Sequence, residues 1–97
     1  MSNSDRARLV WNHSTHIPGL IRILERLTNY QGIQTITPAV IGRARGHCPR
    51  LQIKISVPIL GGYKAIARSG KTFQEVFILT TLTQVELQEA IAEAIKH

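Results

Sequence analysis

From Leu51 to Val57 the chain alternates apolar Leu51, Ile53, Ile55 and Val57 with polar Gln52, Lys54 and Ser56. A period of two is the mark of a β-strand with one buried face. Before it, "ARLVWN" (7–12) is short and apolar and predicts a first strand. From Ile17 the period becomes helical. Ile17, Leu20, Ile21, Leu24 and Leu27 form one stripe with Arg22, Glu25 and Arg26 opposite, which predicts a helix of about three turns ended by "NYQG". Ser14 or Thr15 is positioned to cap it, and Pro18 is tolerated in a first turn, where its missing N–H has no partner.

Strand patterning fills the middle. "TITPAVIGRAR" predicts a strand with Pro38 at an edge or bulge, Gly61 and Gly62 a turn, "YKAIAR" a strand, "SGK" a tight turn and "TFQEVFILTT" a mostly buried strand. Thr83 followed by Glu86 is a capping box, and Leu87, Ala90, Ile91, Ala94 and Ile95 supply the stripe of a second helix. The expected order is β-α-β-β-β-β-α. Two helices covering one face of a mainly antiparallel sheet of about five strands would bury both stripes and the alternating strand faces together, so the sequence predicts a two-layer α+β domain.

The 97 residues suit a single domain, 1–97, with residues 1–5 a flexible tail. At 43% hydrophobic and 19% charged residues, extensive disorder is not expected. No run has the length of a membrane span or the plan of a signal peptide, which predicts a cytoplasmic protein without membrane contact. The single cysteine, Cys48, has no internal partner for a disulfide, in keeping with a reducing compartment.

Charge changes the picture more than composition does. Between residues 26 and 74 lie eight Lys or Arg and no Asp or Glu. Glu25 and Glu75 flank that stretch, and Glu86, Glu89 and Glu93 lie in the C-terminal segment. A positive middle attracts anions, so Arg43, Arg45, Arg50, Lys54, Lys64, Arg68 and Lys71 are candidate contacts for RNA or another polyanion. Within "GRARGHCPRLQIK" and "GGYKAIARSGK", Tyr63 is the only aromatic, which disfavours readout by base stacking.

Two short segments could carry other chemistry. His13 and His16 stand three apart at the strand-to-helix junction, and His47 and Cys48 lie in the Gly- and Pro-bounded "ARGHCPR". Imidazole nitrogen and thiolate sulfur suit tetrahedral Zn²⁺, and four such donors satisfy a closed site, although no paired C-x-x-C is present. Structurally, the histidines can be polar residues near a helix start and Cys48 a small buried filler. The same junction has a use without metal. A helix start together with Ser14 and Thr15 would favour a phosphate.

Catalysis has less support. "SGKT" (69–72) lacks the upstream glycine of a phosphate-binding loop, having Ala65 there, and does not open a helix. A Cys48 nucleophile with His13 or His16 as base has no third orienting acid nearby in sequence, so a non-enzymatic protein is expected.

The blocks "NHSTHIPGL" and "PAVIGRARGHCPRLQIKISVPILGGYKAIARSGKTFQEVFILT" resemble a prokaryotic family, domain of unknown function 2103, whose members are described as predicted metal-binding proteins. The likeness spans most of the chain. It implies metal binding and makes His13 and His16 the candidate ligands carried over from the family's pattern. His47 and Cys48 rest on residue chemistry alone.

Overall fold

The computed structural model describes residues 8–11 and 15–96. Its elements run β1 (Arg8–Leu9), α1 (Leu20–Leu27), β2 (Ile33–Ile59), β3 (Gly62–Thr80) and α2 (Gln84–Lys96). The architecture is α+β. The sheet has three strands in the order β1-β2-β3, with β1 parallel and β3 antiparallel to β2.

The difference from the expected five strands has a physical cause. The four predicted central strands join into two long ones, because the expected breaks are bends through which strand geometry continues. β3 has 19 residues. At about 3.3 Å per residue it would extend roughly 60 Å if straight, but the longest dimension of the molecule is 43 Å. It therefore doubles back, at Gly70, whose φ is +60°. The Thr80 N–H donates to the Gly61 carbonyl at 2.9 Å, and Lys64 pairs with Glu75 at 3.7 Å, which brings the start and end of β3 side by side. The approach is close enough that a β-carbon on Gly62 would run into the Ile78 carbonyl.

β2 wraps around this bend. Its register jumps from Arg43 opposite Thr72 to Cys48 opposite Gly70, and then to Gln52 opposite Arg68. The extra residues bulge outward around Gly46, whose φ of +75° favours a residue without a β-carbon. The basic "RARGHCPR" segment is thus the bulged corner of β2.

Both helices lie on one side of the sheet. Leu20, Ile23, Leu24 and Leu27 of α1 and Leu87, Ala90, Ile91 and Ala94 of α2 join Ile36, Ile53, Ala65, Ala67, Val76 and Ile78 in one core. Ile23, not Ile21, completes the buried stripe of α1, and Ile95 stays 38% exposed at the rim. Arg26 donates from Nη1 to the Ala94 carbonyl at 3.1 Å, tying the helices together. The capping box of α2 forms in both directions, Thr83 N–H to Glu86 Oε1 at 2.8 Å and Glu86 N–H to Thr83 Oγ1 at 3.2 Å.

The start of α1 is later than the sequence suggests. Gly19 is the N-cap, in a left-handed conformation without a side-chain cap, and the helix has 8 residues. The Thr15 hydroxyl instead accepts the Ile17 N–H at 3.1 Å in a local turn.

Candidate functional site

The polar junction lies between β1 and α1. β1 runs parallel to the first part of β2, Arg8 beside Thr35 and Leu9 beside Ile36, so the chain leaves β1 heading toward the end of that part of β2 where the Gly46 bulge begins. His13 and Ser14 fall outside the described residues. Thr15 is half-buried and His16 exposed, leading into the turn at Pro18 and Gly19. Because the Thr15 hydroxyl already accepts a backbone N–H and α1 begins only after Gly19, Thr15 does not sit at the helix N-terminus that the phosphate reading requires.

In the bulged corner, His47 is exposed and Cys48 is buried. The two donors therefore differ in access to solvent. The Cys48 thiol also has a partner, donating to the Arg50 carbonyl at 2.8 Å. Binding as a thiolate would require giving up that proton. Among the described residues no three His, Cys, Asp or Glu side chains converge as a metal-binding group. His16 and His47 are thus the exposed donors of the described structure, and Cys48 occupies the small-filler position.

Of the cationic candidates, Arg43, Arg45, Arg50, Lys54 and Lys71 are exposed, while Lys64 and Arg68 are half-buried. Lys64 is engaged by Glu75. The side of the sheet away from the helices carries a groove made of two adjoining hollows. One is bounded by Gln52, Lys54 and Ser56, the other by Arg45, Phe73 and Glu75, and both share Ile66 and Arg68 as their floor. Arg68 is fixed there by a bond from Nη2 to the Arg45 carbonyl at 3.3 Å, and its buried Nε has no hydrogen-bond partner among the described residues.

Two aromatics on this face of the sheet, of which Phe73 lines the groove, correct the sequence reading. Tyr63 packs against the core. Phe73 and Phe77 alternate instead with the buried Gln74, Val76 and Ile78, and so face outward on the groove side. Reading "TFQEVFILTT" as mostly buried concealed this. The signal was Glu75, standing between two phenylalanines of the same parity. Phe73 lies against Gly42, its register partner, where an added β-carbon would come within 2.7 Å of two ring carbons. The glycine of "IGRAR" therefore lets the ring lie along the strand.

A hollow of about 490 Å³ lies on the helix side between the second half of β2 and α2. Leu51, Ile53, Ile55, Ile91 and Ile95 make most of its lining apolar, and Gln52, Lys54 and Gln88 also border it. Elsewhere, burial and then the nearby Glu93 carboxylate raise the Tyr30 phenol above its usual range, at the rim of the helix layer. None of the described helices is long and apolar enough to cross a membrane.

A profile of the family domain of unknown function 2103, described as a predicted metal-binding protein, matches residues 4–97. Neither a curated protein nor a solved structure matches the chain.

Proposed function

The chain belongs to the domain of unknown function 2103 family, described as predicted metal-binding proteins, and from that premise we propose that it binds one Zn²⁺ through the imidazoles of His13 and His16. The observation that carries this reading is the match over residues 4–97, which includes both histidines. The exposure of His16 at the junction after β1 supports it. Two imidazoles provide half of a tetrahedral set, at about 2.0–2.1 Å from the ion. His47 is the next open donor. Cys48 becomes a ligand only by exchanging its bond to the Arg50 carbonyl for the metal. His13 and His16 would hold the ion, which would supply Lewis acidity at that position.

The test is elemental analysis of untagged protein purified without chelator. About one Zn²⁺ per chain is expected, falling to a background level in the His13→Ala, His16→Ala double variant. Wild-type protein that is metal-free and does not reload with Zn²⁺ refutes the proposal. Retention of full occupancy by the double variant moves the site elsewhere.

A further inference from the structure

We propose that the groove on the sheet face away from the helices binds single-stranded RNA, with Phe73 and Phe77 as base-stacking platforms and Arg45, Lys54 and Arg68 as the cations along its path. This is independent of the metal reading.

The proposal rests on a combination that folding alone does not require. A solvated sheet face is expected to be polar. This one carries Ile66 and Phe73 in the lining of the hollows, among cations, and Phe77, 36% exposed, further along the same face of β3. The two phenylalanines are four residues apart on the same side of β3, roughly 13 Å along a strand, so each ring can take a separate base. Gly42 leaves the space that lets the Phe73 ring lie along the sheet. Between the rings, the Glu75 carboxylate would repel phosphate, but Lys64 engages it at 3.7 Å. Lys54 borders one hollow and Arg45 the other, both exposed, and Arg68 borders both.

Charge complementarity selects a polyanion, and exposed ring faces select unpaired bases, because a duplex keeps its bases stacked on one another. An acidic peptide would use the cations and leave the rings idle. Gln52 and Ser56 border the groove with both donors and acceptors, which a ribose 2′-hydroxyl can use and a deoxyribose cannot. These features favour RNA over DNA.

The experiment is fluorescence anisotropy of the full chain with a labelled uridine oligomer of about twelve nucleotides, within the site sizes of single-strand binders. It is run near 50 mM salt and upward, with and without chelator, so that the outcome stands apart from the fate of the metal. Saturable binding is expected, weaker for the deoxy oligomer of the same base and weaker still for duplex. Replacing both rings, Phe73→Leu with Phe77→Leu, should weaken it at least about 30-fold, each lost stack contributing about 5-fold or more. Arg45→Gln with Lys54→Gln should lower the salt slope by about 1.4, at roughly 0.7 per phosphate contact on a single strand. Amide shift mapping on wild-type protein provides a readout that does not depend on variant folding, and Ile66, Arg68 and Phe73 should move. Absent binding, shifts confined to the helix side, or affinity indifferent to both ring changes overturns the proposal. Equal binding of duplex overturns the stacking mechanism, and equal binding of the deoxy oligomer overturns the assignment to RNA.

Discussion

Ile53 is 8% exposed and belongs to the core, whereas Lys54, the next residue of the same strand, is open to solvent at the outer groove. Their register partners repeat the contrast, Ala67 fully buried opposite Ile53, and Ile66 on the groove floor opposite Lys54. One pair of strands thus presents two surfaces with different requirements. On the helix side, Ala65, Ala67, Val76 and Ile78 are all fully buried, and their small or β-branched side chains let two helices lie close to the backbone. On the other side, exposed cations and partly exposed rings share a hollow that no helix covers. The comparison teaches that strand alternation has divided the work: the residues whose removal should unfold the protein are not those that would meet a ligand.

The strongest way to break that division is through Ile78. It is fully buried, and truncation to Ala leaves a cavity between the sheet and the helices that a close-packed core fills only in part. Ile78→Ala should cost about 2–5 kcal/mol in a denaturant titration, with the melting temperature falling by about 4–8 °C for each kcal/mol. A cost below about 1 kcal/mol would mean that the helix side is loosely packed and that the contrast between the faces is one of polarity only.

A smaller effect is expected where the helix layer is closed by one polar contact. Arg26 donates to the Ala94 carbonyl in the last turn of α2 and places a cation at the negative end of that helix. A hydrogen bond from a charged group contributes about 1.5–3 kcal/mol, and the half-buried setting puts Arg26→Gln near the low end, at about 1–2 kcal/mol. Part of this loss should disappear at high salt, since the dipole contribution is screened. A loss independent of salt would assign the effect to the packing of the arginine stem rather than to its charge.

The sequence carried some of these distinctions and concealed others. The strict alternation from Leu51 to Val57 and the stripe from Leu87 to Ala94 announce a strand and a helix because burial on one side leaves a periodic trace. Thr83 and Glu86 announce the start of α2 because a capping box is a local pair of bonds. Gly46 and Gly70 could not reveal whether the chain turns or bends. A glycine with positive φ serves either, and the difference lies in long-range pairing such as Cys48 opposite Gly70. That is why two bent strands read as four.

The candidate site was legible to a similar degree. The basic residues were visible as a run without acids, and Arg45, Lys54 and Arg68 do border one groove. That Phe73 and Phe77 face away from the core was hidden because strand parity alone does not say which face the helices take. For the donors, chemistry marks His16, His47 and Cys48 as capable of binding metal, but burial and a bond to Arg50 distinguish the thiol from the two exposed imidazoles only in three dimensions.

The smallest expected effect is also the sharpest test of the comparison. Lys54 is exposed, its register partner Ile66 lies on the groove floor, and a single surface charge away from caps and buried networks rarely matters to folding. Lys54→Gln should leave stability within about 0.5 kcal/mol of wild type. The same substitution should lower the salt slope of RNA binding by about 0.7, because one phosphate contact is lost on a single strand. Its sequence neighbour should do the reverse: Ile53→Ala destabilises by about 2–5 kcal/mol and leaves the salt slope of the folded fraction unchanged. If Lys54→Gln instead costs more than about 1 kcal/mol, the outer face helps hold the hairpin together, and the division between the faces fails at the pair of residues where it is most direct.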